Sequence, residues 1–145
     1  RGKDSPMLDT VRGRMHFIDQ IVGTQRLRTV SSIGESFPLT TTANGKAALA
    51  CFDQTEAARL VLSELETEGA DSRLMSVLEN LEEIRGGALA IDEDEHTEGI
   101  SAMGFALHDT TGDIVAISVP VPSSRFARVR GQLAQVLKRA RDNLR

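Results

Sequence analysis

The chain has 145 residues, 40% of them hydrophobic, and a formal net charge of −4, which fits one globular domain with its own core. The negative charge excludes broad electrostatic binding of nucleic acid by these residues. The lack of Trp and Tyr leaves no aromatic platform for single strands. The single cysteine, Cys51, excludes an internal disulfide and a thiolate zinc site. No apolar run is long enough to span a membrane, and the sequence predicts a cytoplasmic protein.

The amino-terminal part predicts a linker followed by two strands. Residues 1–13 are expected to be a residual linker and first strand region, with residues 1–4 frayed. Apolar and β-branched residues over 15–22 and 26–33 predict two strands, and residues 23–25 predict the turn that joins them.

Residues 37–50 predict a helix that starts abruptly. Pro38 disfavours helix before it, three threonines then offer N-cap hydroxyls, and the residues after them are mostly good helix formers. Small side chains in the first turn leave the N–H groups of Ala43, Asn44 and Gly45 open to a carboxylate or phosphate. The alternative is a helix that starts tightly only because a sheet packs close above it.

Two more helices are predicted before residue 86. Residues 53–56 have the D-x-x-E form of a capping box, with a carboxylate in place of the usual hydroxyl at the cap. Apolar residues at helical spacing follow this box. They recur over residues 72–85, where Gly86 and Gly87 predict the helix end.

The last third of the chain predicts a hairpin and a long helix. Residues 88–91 predict a buried strand, and residues 92–98 an acidic turn. Two strands over 100–108 and 114–121 flank a loop of hairpin composition, and beyond residue 124 an apolar stripe predicts a C-terminal helix. Strand pairs with helices between them indicate an α+β fold built on an antiparallel sheet.

The acidic run of residues 92–98 does not match a calcium loop, because His96 and Thr97 stand where Asp or Asn and Gly belong. No metal site is therefore predicted, and the run is interpreted as a solvated loop. Asp92 is expected to turn inward, since it directly follows the buried strand.

A hydrolase is the weakest of the functional interpretations. His108 and Asp109 could orient a general base, with Ser118 as the nucleophile. The predicted hairpin, however, places Ser118 too far along the returning strand, and no G-x-S-x-G elbow surrounds a serine. The sequence predicts no enzyme activity and no cofactor. Cys51 is interpreted as an inert buried thiol, and the basic side of the last helix as a solvated face.

Two motifs give the chain a family resemblance: TANGKA at residues 42–47 and SVPVPSSRF at residues 118–126. Together with the acidic run and the hairpin loop between them, they resemble the effector-binding domain of IclR-type transcription regulators. The resemblance begins near residue 14, so residues 14–145 are expected to be that domain.

This resemblance implies a GAF- or PAS-like domain, with an antiparallel sheet, flanking helices and a long C-terminal helix. It implies a small organic effector, often a carboxylate or an aromatic acid, and a homodimer or homotetramer. It also implies a winged helix-turn-helix domain that is absent from these 145 residues and would make all contact with DNA. The alternative is an oligomerisation module without a ligand.

The resemblance also implies where the effector binds. The family's effector-binding positions lie at the helix start, after the short strand and on the last two strands. Carried over by motif, they are Ala43, Asn44, Gly45, Asp92, Ala102, Ser118 and Pro120. Pro120 stands where the family commonly has a second serine, and it supplies neither a hydroxyl nor an amide donor. An apolar wall is expected from Met103, Phe105 or Ile117, whichever of them point inward.

Overall fold

The structure, a computed structural model, describes residues 6–11, 14–22, 25–27 and 36–145, with side-chain contacts from residue 38 onward. It has the predicted α+β architecture, an antiparallel sheet with helices on both faces. The predicted frayed start and residues 28–33 of the second predicted strand lie outside the described residues.

Within the described residues, seven strands form one sheet in the order β3-β2-β1-β7-β6-β5, with β4 paired to β2 and every pairing antiparallel. The strands are β1 (Pro6–Val11), β2 (Arg14–Val22), β3 (Gln25–Leu27), β4 (Ser36–Phe37), β5 (Ala90–Thr97), β6 (Ile100–His108) and β7 (Ile114–Pro122). The strand predicted over 15–22 is confirmed as β2, and the described part of the next predicted strand is β3.

The helices are α1 (Ala43–Leu49), α2 (Gln54–Glu68), α3 (Leu74–Arg85, after a 3₁₀ turn at Asp71–Arg73) and α4 (Ser123–Leu144). Both predicted N-caps are confirmed. The Thr42 hydroxyl accepts the Gly45 N–H at 2.9 Å, and the Asp53 carboxylate accepts the Glu56 N–H at 2.8 Å. The capping box is only half formed, because the Glu56 side chain pairs with Arg59 instead.

The acidic run forms strand as well as turn, which corrects the prediction. Strand β5 continues to Thr97, but its pairing with β6 is interrupted between Glu93 and Thr97, and Asp94 has a φ of 57°. The Asp92 carboxylate accepts hydrogen bonds from the backbone N–H groups of Glu95 and His96. A side chain thus replaces ladder hydrogen bonds, and the strand bulges where a turn was expected.

The predicted hairpin between β6 and β7 is confirmed. The Asp109 carboxylate accepts the N–H groups of Thr111 at 2.8 Å and Asp113 at 3.0 Å. The Thr111 hydroxyl, more than these N–H groups, holds the pKa of Asp109 below its usual value. Asp109 is therefore occupied in the turn, and Ser118 lies four residue pairs along the ladder from His108. The hydrolase arrangement does not form.

The two faces of the sheet carry separate cores. Helices α1, α2 and α3 cover one face, where Leu49, Val61, Leu65 and Leu81 are fully buried. Helix α4 covers the other face of β6 and β7, where its Phe126 and Leu137 are buried. The apolar stripe predicted for α4 is confirmed only in part, because Val136 is 54% exposed. None of the described helices is both long and apolar enough to cross a membrane.

Candidate functional site

Strand alternation brings most of the predicted site residues to one place, beneath α1. Asp92 pairs with Ala102 across β5 and β6, and Ala102 pairs with Pro120 across β6 and β7. In the adjacent row, Ser118 pairs with Gly104. Ala43, Ala47 and Ala90 form a small buried cluster that joins α1 to this face, and the half-buried Ala102 packs against it. The site is therefore built from the start of α1 and the α1 side of three neighbouring strands.

Asn44 is the most unusual residue of this site. It is 5% exposed, and its Oδ1 atom is buried with no hydrogen-bond partner among the described residues. A buried acceptor without a donor costs about 1–3 kcal/mol, and native proteins leave few of them. The position therefore calls for a donor that is not one of the described side chains, such as a hydroxyl, an amine or a water molecule.

Asp92 of β5 is also buried. Burial raises the pKa of Asp92, and the N–H groups of Glu95 and His96 and the charge of Lys46 only partly offset the rise. Lys46 is itself buried, and its ammonium donates to the Ile91 carbonyl at 2.7 Å and pairs with Glu95. The inward position predicted for Asp92 is thus confirmed, and its carboxyl is easier to protonate than an exposed one.

The raised pKa predicts a pH effect on stability. Because Asp92 binds its proton more tightly in the folded chain, the free energy of unfolding falls as pH rises from about 4 through the folded-state pKa. In Asp92→Asn the amide oxygen still accepts both N–H groups, so we expect this fall to be smaller and the stability at pH 7 to be higher. Denaturant unfolding between about pH 4 and pH 7 measures it. Asp142→Asn, at a side chain 66% exposed, is the control, and an unchanged slope in Asp92→Asn would contradict the prediction.

Gly45 has a different role from the one expected. Its N–H is held by the Thr42 hydroxyl, which in turn donates to the Pro38 carbonyl at 2.7 Å. A Cβ atom on Gly45 would lie 2.5 Å from the Leu39 Cα atom. The prediction that the Gly45 N–H is open to a ligand is therefore wrong. The glycine lets the preceding loop, rather than the sheet, press against the first turn of α1.

The prediction of an apolar wall for the effector site is also wrong. Met103, Phe105 and Ile117 belong to the core beneath α4, on the opposite face of the sheet from Asp92 and Ser118. Successive side chains on a strand alternate between faces. Residues one position away from Ala102 and Ser118 therefore lie on the opposite face of the sheet.

Two residues of this region were missed. Gly104 lies opposite Ser118, and a Cβ atom on it would sit 2.3 Å from the Ile117 carbonyl oxygen; a glycine inside a strand pattern is the available signal for such a close approach. Glu64 of α2 is buried, and its carboxylate accepts the N–H groups of Leu39 at 2.7 Å and Thr40 at 2.8 Å. Nothing in the sequence separates it from the exposed acids around it.

Comparison with known proteins agrees with this architecture. The family model described as the bacterial transcriptional regulator IclR C-terminal domain matches residues 7–144. The chain is 42% identical over 126 residues to HTH-type transcriptional regulator Rv1719 of Mycobacterium tuberculosis, covering 86% of this chain and 49% of that protein. It is 29% identical over 134 residues to HTH-type transcriptional regulator TtgV of Pseudomonas putida, covering 90% and 51%.

Solved structures show the same fold. The effector domain of an IclR transcriptional regulator from Acinetobacter sp. ADP1 superposes with a TM-score of 0.76 at 15% identity, covering 99% of this chain and 86% of that one. The C-terminal domain of a transcriptional regulator from Vibrio cholerae gives 0.72 at 24% identity, covering 94% and 82%.

These matches define a regulatory domain rather than an enzyme. The chain belongs to the IclR C-terminal family of bacterial transcriptional regulators, and the predicted family membership is confirmed. It spans about half the length of the curated relatives that it matches.

Proposed function

We propose that this domain is the ligand sensor of an IclR-type regulator and binds a small organic effector between α1 and the strands β5, β6 and β7. The observation that carries the proposal is the buried Asn44 Oδ1 atom, which has no donor among the described residues. Asp92 and Ser118 are buried on the same face of the sheet.

The polar groups of the site indicate the chemistry of the effector. The first N–H groups of α1, at Ala43 and Asn44, suit a carboxylate or a carbonyl oxygen. Asn44 Oδ1 requires a donor, so the effector carries a hydroxyl, an amine or a protonated acid group as well. Asp92 tolerates a nearby anion when it is protonated, and its raised pKa favours that form. We therefore propose a small organic acid, aliphatic or aromatic, that also bears a donor.

Binding would act on DNA through the rest of the regulator. The winged helix-turn-helix domain of the full protein would contact the operator, in the cytoplasm, as a homodimer or homotetramer. An effector that binds one subunit arrangement more tightly than another shifts the population toward it. The spacing of the DNA-reading domains, and hence operator affinity, would follow.

The alternative proposal is an oligomerisation module without a ligand. One observation favours it, an open apolar groove of about 310 Å³ between α4 and β7 that is lined mainly by Val121, Val129, Leu133 and Val136. In that case the chain would form a stable dimer or tetramer, and no small molecule would raise its melting temperature.

Thermal-shift screening of small organic acids tests the sensor. A ligand at 100 times its Kd stabilises the folded chain by about 2.7 kcal/mol, which is a shift of several degrees. Ser118 is 3% exposed, so the ring of Ser118→Phe would fill the site, and we expect the ligand shift to disappear. Ser124→Phe, at an exposed position of α4, should keep the wild-type shift. Equal shifts in wild type and Ser118→Phe would place the ligand elsewhere.

A further inference from the structure

A cavity lies at the C-terminal end of α1. It has a volume of about 190 Å³, and side chains from the ends of α1, α3 and α4 and from β6 line it. Its apolar side, here termed the floor, includes Ala47, Ala50, Ile84 and Ala106, and three arginines also line it, Arg85, Arg141 and Arg145. None of these residues is one of the predicted effector-binding positions, although Ala47, Ile84 and Ala106 also take part in the apolar cluster that joins α1 to the sheet.

Arg85 and Arg141 are held in place by backbone carbonyls. The Arg85 guanidinium donates to the carbonyls of Ala50 at 3.2 Å and Phe52 at 3.3 Å. Arg141 Nη1 donates to the Gly87 carbonyl at 3.0 Å. These contacts orient two cations at the cavity before any ligand arrives, which lowers the entropic cost of binding an anion.

Arg141 has a donor left over. Its side chain is only 11% exposed, and its Nε atom is buried with no hydrogen-bond acceptor among the described residues. The Asp142 carboxylate is 3.8 Å from this atom, which is beyond hydrogen-bond distance. A buried guanidinium N–H without an acceptor is costly, and an anion in the cavity would supply one.

Three guanidinium groups line the cavity. Glu82 pairs with that of Arg85, and the exposed Asp142 carboxylate lies 3.8 Å from Arg141 Nε. Arg145 is exposed. Burial raises the pKa of the Cys51 thiol, and the nearby charge of Arg145 only partly offsets this rise. The unused N–H donors of these guanidinium groups favour an anion.

Volume and lining together define the ligand class. A dry cavity of about 150 Å³ holds benzene, so a cavity of about 190 Å³ has room for one ring and a small polar group. Guanidinium groups bind carboxylates through paired N–H donors. We propose that this cavity is a second ligand site, which binds a small aromatic carboxylate with its ring on the apolar floor and its carboxylate on Arg141 and Arg145. This proposal does not depend on the effector site.

Cys51 offers a direct test, since it is the only cysteine of the chain and lines the cavity. The rate of its alkylation by iodoacetamide is measured in mildly alkaline buffer against increasing benzoate. We expect benzoate to slow the reaction saturably. Benzyl alcohol, which keeps the ring and loses the charge, should protect about 10-fold less well or worse.

Variants assign the protection to the arginines. Arg145→Gln changes an exposed side chain and should raise the half-protecting benzoate concentration about 10-fold; Arg141→Gln should raise it at least as much. Arg139→Gln, on an exposed face of the same helix, and Asn44→Ala, at the effector site, should leave it unchanged.

Three results would overturn the proposal. The first is an alkylation rate that benzoate does not change. The second is protection that survives Arg145→Gln and Arg141→Gln but is lost in Asn44→Ala, which would assign benzoate to the effector site and support the sensor alone. The third is equal protection by inorganic phosphate and benzoate, which would show that the ring makes no contact.

Discussion

Replacing Glu64 by Ala is expected to destabilise the chain by about 3 kcal/mol or more, because it leaves two buried N–H groups without an acceptor. These are the N–H groups of Leu39 and Thr40, residues that are 1% and 0% exposed. Glu64→Gln should not restore the loss, because an amide presents one acceptor and one donor where both oxygens of Glu64 now accept. Urea unfolding at pH 7 measures the change in the free energy of unfolding.

The control is Glu66→Ala, at an exposed position of the same helix. It removes the same side chain and should change stability by no more than about 0.5 kcal/mol. Similar losses in the two alanine variants, or full stability in Glu64→Gln, would show that the carboxylate does not hold the loop before α1.

Replacing Gly104 by Ala is expected to cost about 3 kcal/mol, which is large for the addition of one methyl group. The new Cβ atom would lie 2.3 Å from the Ile117 carbonyl oxygen and 2.7 Å from the Ser118 Cβ atom. One of these is a backbone atom in a paired strand, so relief requires β6 and β7 to move apart. The melting temperature and the urea midpoint should both fall.

Gly131→Ala is the matched control. Gly131 lies in α4, and nothing is within 4 Å of the position of a Cβ atom there, so the same substitution should stabilise the helix by up to about 1 kcal/mol. If Gly104→Ala unfolds at the wild-type urea concentration, then β6 and β7 do not approach as closely as the structure has them.

The parts of the fold that sequence reasoning predicted correctly depend on neighbouring residues. The caps at Thr42 and Asp53 form within one helical turn, and the hairpin loop is held by the Asp109 carboxylate. Each of these is a short-range hydrogen bond between residues at a fixed spacing, so the sequence pattern is enough to predict it.

Most of the errors concern contacts between distant residues. The bulge in β5 is the exception, because there Asp92 accepts the N–H group of Glu95, only three residues further on, in place of a strand partner. The Glu64 carboxylate accepts N–H groups from Leu39 and Thr40, which lie 25 and 24 residues earlier in the chain. No local sequence pattern predicts such a contact. The misplaced apolar wall has a simpler cause: the alternation of β6 was known, but which of its faces lies beneath α1 depends on packing.

The candidate site came from motifs rather than from geometry. Family resemblance pointed to Asn44, Asp92 and Ser118, and strand pairing then placed Asp92 and Ser118 on the face that α1 covers. The unpaired Oδ1 atom of Asn44 could not be predicted, because satisfaction of a buried group depends on every neighbour around it.

A crystal structure of the domain with the organic acid that gives the largest thermal shift tests the central claim most directly. We expect a donor atom of the ligand within hydrogen-bond distance of Asn44 Oδ1, with the ligand between the first turn of α1 and Ser118. A ligand bound elsewhere, with Asn44 Oδ1 hydrogen-bonded to a group of the protein itself, would contradict it.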